Sequence, residues 1–164
     1  MSRRTPAVRR PLRRVLFAGT DDGKAPPRAK KSEARGARKK ESGRKLRALI
    51  IDDAPDVADM LSFMLRSSGY EVVVLFSGPA ALAVAREERF DVVVSDIGMP
   101  GMNGYDLAIG LRQLPAYRMV PLIAITGFSD YKDRNKALQA GFNAFLMKPI
   151  DPVSLIDLIG GLTD

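Results

Sequence analysis

Four apolar runs in this 164-residue chain stop at residues able to do chemistry. Leu46 to Ile51 runs into Asp52-Asp53, Val92-Val93-Val94-Ser95 into Asp96, Val120 to Ile125 into Thr126, and Ala144 to Met147 into Lys148. The chain has no cysteine and no histidine. That excludes disulfides, thiolate and imidazole metal sites, and imidazole bases, leaving carboxylates, hydroxyls, Lys and Arg. Three carboxylates brought together repel one another, and a hard divalent cation with oxygen ligands, Mg2+ or Mn2+, would offset them. A lysine and a hydroxyl beside such a cation complete a cradle for a phosphoryl group, drawing charge from its oxygens and donating a hydrogen bond to one of them. Asp96 itself is open to three roles at this point: nucleophile, metal ligand or helix cap.

These residues meet only if the strands carrying them are parallel. Val92-Val93-Val94 is β-branched throughout and reads as a strand buried on both faces, and Gly98, Pro100, Gly101 and Asn103-Gly104 make a loop after it. Between the strands lie helical patterns. Val57, Met60, Leu61, Met64 and Leu65 form one apolar stripe behind Pro55, with Asp53 or Ala54 near its N-cap and Gly69 closing it. After a second strand, Val72 to Phe76, Pro79 to Glu88 is a small-residue helix. Leu107, Ile109, Leu111 and Leu114 mark a third, ended by Pro115, a weakly apolar fourth runs from Tyr131 to Ala140, and the last starts near Asp151-Pro152 with Val153, Leu155, Ile156, Leu158 and Ile159. Five strands alternating with five helices demand a parallel sheet with right-handed crossovers. The expected fold is α/β, a flavodoxin-like three-layer sandwich of order 2-1-3-4-5, whose order reverses beside the first and third strands.

The pattern resembles the receiver domain of two-component response regulators over about residues 46 to 164. The resemblance rests on Asp52-Asp53, the run Asp96-Ile97-Gly98-Met99-Pro100-Gly101-Met102-Asn103-Gly104, Thr126, and Phe145-Leu146-Met147-Lys148-Pro149, in that order and each at a strand end. It implies that Asp96 takes a phosphoryl group from a phosphohistidine on a sensor histidine kinase or phosphotransfer protein. It also implies Mg2+ held directly by Asp53, Asp96 and the Gly98 backbone carbonyl, with Asp52 acting mainly through water. Lys148 would pair with the phosphoryl oxygens and Thr126 would hydrogen-bond them. Phe145 matches the aromatic position that rotates inward when the Thr follows the phosphate, remodelling a face of fourth helix, fifth strand and last helix for a downstream protein. The Lys148-Pro149 bond would be cis. By the same resemblance the chain is a cytoplasmic switch in phosphorelay signal transduction rather than an enzyme.

Two positions bear on how long a phosphoryl group would last. Gly98 offers no side chain to orient an attacking water, and Phe128 is bulky and apolar, which points to a long-lived acyl phosphate. After Asp164 no output domain is expected. A phosphatase of the haloacid dehalogenase type also uses an Asp nucleophile with Mg2+, but wants Asp-x-Asp at the end of its first strand, where this chain has adjacent acids.

Charge divides the chain. Residues 1 to 47 carry 17 Lys and Arg against four acids, a net of +13, while residues 48 to 164 carry nine against 15, a net of −6. The boundaries that follow are a basic arm over 1–45 and a receiver-like domain over 46–164. The arm is dense in Arg, Lys, Pro, Gly and Ala without apolar period, so disorder is the expectation. Gly19-Thr20-Asp21-Asp22-Gly23-Lys24-Ala25 superficially resembles a phosphate-binding loop but fails on spacing, on the missing Ser/Thr after the Lys and on the lack of a preceding buried strand. Its charge fits either attraction to an anionic surface, nucleic acid included, or a solubilising tail. A nucleic-acid-binding regulator acting through this arm, with the domain as control module, is the alternative reading. Apolar runs of about five or six residues are far short of the roughly 20 that span a bilayer.

Overall fold

The computed structural model describes residues 43–127 and 131–164, together with the backbone of Leu16–Phe17. Five strands, β1 (Arg47–Ile51), β2 (Glu71–Leu75), β3 (Val92–Asp96), β4 (Leu122–Thr126) and β5 (Ala144–Met147), pair in parallel in the order β2-β1-β3-β4-β5. They alternate with α1 (Pro55–Ser67), α2 (Gly78–Glu87), α3 (Gly104–Gln113), α4 (Tyr131–Ala140) and α5 (Pro152–Thr163). This is the flavodoxin-like topology that the alternation predicts. A two-residue strand, Leu16–Phe17, adds to the outer edge of β5 in parallel, Leu16 opposite Ala144 and Phe17 opposite Phe145. The rest of the expectation for residues 1 to 45 lies outside the described residues, but for Gly43 to Lys45.

Strand side chains alternate between faces, and both faces are covered by helices, so β1, β3 and β4 are apolar at nearly every position. Leu49, Ile51, Val93, Ala124 and Phe145 pack with Ala81, Ala85, Leu107, Leu111 and Ala137 of α2, α3 and α4. Ala48, Ile50, Val94, Ile123 and Leu146 pack on the other face with Leu61 and Leu65 of α1 and Leu155 and Ile159 of α5. Each large aliphatic side chain fully buried there stabilises the fold by about 2 kcal/mol before entropy is counted. The order reverses between β1 and β3, so α1 and α3 leave on opposite faces and open a crevice at the carboxyl edge of those two strands.

Several local readings shift. The second strand runs from Glu71 to Leu75 and leaves Phe76 exposed, and the fourth begins at Leu122 rather than Val120. Ile109, read as part of the apolar stripe of the third helix, is 47% exposed. At 3.6 residues per turn it lies roughly 200° from Leu107, and the buried residues of the helix are Gly104, Leu107, Ala108 and Leu111. Met60 and Val153 are exposed for the same reason. Helix α1 has Ala54 at its N-cap with no side-chain bond, whereas Asn103 Oδ1 accepts from the Asp106 N–H (2.9 Å) and Asp151 Oδ2 from the Ser154 N–H (2.8 Å).

At the opposite, amino edge of the sheet Arg112 ties three segments together. Its guanidinium donates to the carbonyls of Gly141 (2.6 Å and 3.0 Å), Tyr117 (2.5 Å) and Val120 (2.8 Å), and to Asn143 Oδ1 (2.7 Å). Burial pushes its pKa down, and the neutral acceptors around it offset the loss of water.

Candidate functional site

The carboxyl edge collects the predicted residues. Asp52 follows β1 and is fully buried: its Oδ1 accepts from the Ala54 N–H (2.9 Å) and its Oδ2 faces Lys148 Nζ at 3.4 Å. Asp53, one residue on, is exposed. Asp96 ends β3 and is 7% exposed; its Oδ1 accepts from the Ile97 N–H (2.9 Å) and lies 3.4 Å from Lys148 Nζ. One ammonium therefore stands between two buried carboxylates. Burial raises the Asp96 pKa, the Asp52 charge raises it further, and Lys148 and the Ile97 N–H oppose both.

Thr126 ends β4 and is fully buried, one position beyond Ile125, the neighbour of Asp96 across the sheet. Its carbonyl accepts from the Lys148 N–H at 2.8 Å, which joins the ends of β4 and β5. The Lys148-Pro149 peptide is cis, as the resemblance implies. Gly98 is exposed in the loop after β3. Phe145 is turned inward, 4% exposed and part of the core on the face covered by α2, α3 and α4, with the Arg134 guanidinium 6.0 Å from its ring centre. Phe128 lies outside the described residues.

Whether a divalent cation fits is a question of oxygen spacing. One oxygen from each of Asp52, Asp53 and Asp96 lies within 4.8 Å of the others. An octahedral Mg2+ with bonds of about 2.1 Å places adjacent ligands about 3 Å apart and opposite ones about 4.2 Å apart. The set fits with small adjustment.

Gly104 holds this edge in shape and has no chemistry for sequence reasoning to find. Its N–H donates to the Ile97 carbonyl (2.9 Å), and a Cβ there would collide with the Asp96 carbonyl oxygen and sit 2.7 Å from Ile97 Cα. The start of α3 thus rests directly on the backbone that carries Asp96. The sequence places Gly104 at a helix start, a position where glycine is ordinary; the close approach exists only in three dimensions.

The class that fold and site together define is a doubly wound parallel domain with acids, a hydroxyl residue and an ammonium gathered at its carboxyl edge. The chain belongs to the response regulator receiver domain family, which it matches over residues 48–160. It is 41% identical over 111 residues to a 14.6 kDa protein of Leptolyngbya boryana, covering 68% of this chain and 85% of that one. It is 38% identical over 110 residues to the DNA-binding response regulator MtrA of Mycolicibacterium smegmatis, 67% of this chain but 47% of MtrA. The chain thus spans about half the length of MtrA. Among solved structures, the receiver domain of the sensor histidine kinase PA1611 of Pseudomonas aeruginosa, with magnesium coordinated in its active-site cleft, superposes with a TM-score of 0.66 at 32% identity, covering 71% of this chain and 95% of that one. Among the described residues no helix is long and apolar enough to cross a membrane.

Proposed function

We propose that Asp96 accepts a phosphoryl group from a phosphohistidine on a sensor histidine kinase or phosphotransfer protein, and that the domain signals the change to a partner protein. The observation that carries this reading is the convergence of Asp52, Asp96 and Lys148 at 3.4 Å contacts beside Thr126. Asp96 Oδ1 is held by the Ile97 N–H and Lys148, which leaves the lone pairs of Oδ2 for attack. An O–P bond forms as the P–N bond breaks, and the donor imidazole leaves with that electron pair. Lys148 then has a phosphoryl oxygen to pair with, and the Thr126 hydroxyl donates to another. Asp53, Asp96 and the Gly98 carbonyl would hold Mg2+, with Asp52 through water. When bound, the ion neutralises the acids and the charge building on the phosphoryl oxygens; Mn2+ suits the same oxygen ligands.

Contacts made by Lys148 and Thr126 with the phosphoryl group differ between two domain conformations and shift their populations. The readout surface is the face of α4, β5 and α5, with Phe145 beneath it and a downstream protein as its partner. The protein acts in the cytoplasm as an acceptor and not as a turnover enzyme. Gly98 has no side chain and Phe128 an apolar one, so neither position orients an attacking water and the acyl phosphate is comparatively long-lived; a half-life of seconds in Mg2+ would contradict this.

Incubation with acetyl phosphate and Mg2+ should add one acid-stable, base-labile phosphoryl group per chain, detected by intact mass. Asp96→Asn should add none, and label persisting on that variant would overturn the assignment. Many turnovers of acetyl phosphate per chain would instead favour a phosphatase.

The segregation of charge favours a second reading, in which residues 1–45 bind nucleic acid under control of the domain over 46–164. Retention of the full chain on duplex DNA should then fall steeply with salt and exceed that of residues 46–164; equal retention by both would remove the arm as a binder.

A further inference from the structure

We propose that the outer edge of β5 is a strand-docking site whose resident occupant is the chain's own Leu16–Phe17 segment, which closes the α4–β5–α5 face until a partner displaces it. The proposal does not need Asp96 to be phosphorylated; it rests on the reading above only for what that face is used for. A five-stranded open sheet leaves β5 with a row of unpaired N–H and C=O groups on one side, a ready template for another strand. In this structure that row is taken in part, by Leu16 opposite Ala144 and Phe17 opposite Phe145. The occupant also lies in the longest apolar stretch of the arm. Val15-Leu16-Phe17-Ala18 is the one four-residue apolar run in residues 1–45, rich in strand-forming types and preceded by Arg13-Arg14.

Chain length argues for docking within one molecule. Residues 18–42, 25 in number, connect the segment to Gly43 ahead of β1. The path from the end of the edge strand to the start of β1 crosses four strand spacings of about 4.8 Å and one strand length of about 17 Å, a span of about 25 Å. A flexible chain of 25 residues has a root-mean-square span of about 25–30 Å, and more when it is charged as residues 18–42 are, so the connection reaches without being pulled taut. Docking within one molecule then has an effective concentration of order millimolar, which outcompetes a second copy at micromolar concentration. Charge at this edge is mixed and does not decide the occupant: α5 (Pro152–Thr163) carries no Lys or Arg, with Asp151, Asp157 and Asp164 exposed in or beside it, whereas α4 carries Lys132, Arg134 and Lys136 against Asp133.

Displacement would also reach the candidate site by a short path. Strand β5 ends at Met147, and the next residue is Lys148, which stands between Asp52 and Asp96. A partner that replaces the segment therefore grips the strand whose end positions the ammonium.

The test is hydrogen exchange of the full chain at micromolar concentration, beside the double variant Leu16→Pro/Phe17→Pro, which removes two donors and cannot extend a ladder. Amides of Ala144 to Met147 that face away from β4 should exchange about tenfold faster or more in the variant, with β1 and β3 unchanged and an unaltered melting transition. A peptide of residues 12–20 should bind the variant, restore the slow exchange and leave the wild-type chain alone. Identical β5 exchange in both chains, or peptide binding equally to both, would overturn the proposal. So would wild-type protection that fades on dilution, which would make the occupant a second copy. Acetyl phosphate labelling of Asp96 on the same samples separates this outcome from failure of the phosphoacceptor reading.

Discussion

Lys148 is the counterweight of two buried like charges. With Nζ 3.4 Å from both Asp52 and Asp96, its ammonium offsets a repulsion that β1 and β3 force by ending side by side. Lys148→Met leaves both acids without a cation. Because the lysine side chain is partly open to water, the expected loss in metal-free buffer is about 2 kcal/mol, below that of a fully buried pair. Urea denaturation should show that most of it is recovered on adding Mg2+; an unchanged midpoint would mean that the repulsion is already relieved by solvent. The acids, Thr126 and Lys148 could be read from sequence because each terminates an apolar run, and a parallel sheet gathers such ends at one edge. The inward position of Phe145 follows from the alternation along β5 and is not by itself evidence of a switch. Arg112 gave no comparable sign, since an arginine late in an amphipathic helix reads as a solvated charge.

At the scale of elements, the packing of α3 on β3 is the least tolerant join near the site. Gly104→Ala places a methyl group against backbone atoms of Asp96 and Ile97 that no rotamer can move aside. The helix must back away, at an expected cost of about 3 kcal/mol, and acetyl phosphate labelling of Asp96 should slow in protein that remains folded. Wild-type stability with wild-type labelling would show that the contact relaxes freely. Helix α5 offers a test by pH. The Asp151 carboxyl lies below its ordinary value because the Ser154 hydroxyl, and then the Ser154 N–H, donate to it. A depressed folded pKa means that the charged cap stabilises the fold above about pH 4 and loses its effect as pH falls through the lower folded value. Asp151→Asn keeps an acceptor but not the charge, so the wild-type advantage in denaturant midpoint should be full at pH 7 and shrink progressively as pH falls below about 4. Helices and strands were legible because apolar periods of 3.6 and 2 differ, but exposure within a helix was not. Ile109 and Met60 are apolar residues at plausible spacing that the sheet does not cover.

The whole molecule is braced at both edges of its sheet, by the ionic cluster at one and by Arg112 at the other. Arg112→Met would orphan the carbonyls of Gly141, Tyr117 and Val120 together, at about 3 kcal/mol or about 10 °C in Tm. Labelling of Asp96 below the melting range should not change, and loss of labelling in folded protein would show that the two edges communicate. The five-strand order was deducible from alternation alone, whereas the added edge strand was not, because two residues carry no period. That strand sets an order of events during synthesis. Leu16 leaves the ribosome 128 positions ahead of its neighbour Ala144, an interval of about 6–25 s at about 5–20 residues per second. Throughout it the apolar Val15–Ala18 stretch has no β5 to pair with, and Arg13-Arg14 stand as gatekeepers against its joining the sheet of another nascent chain.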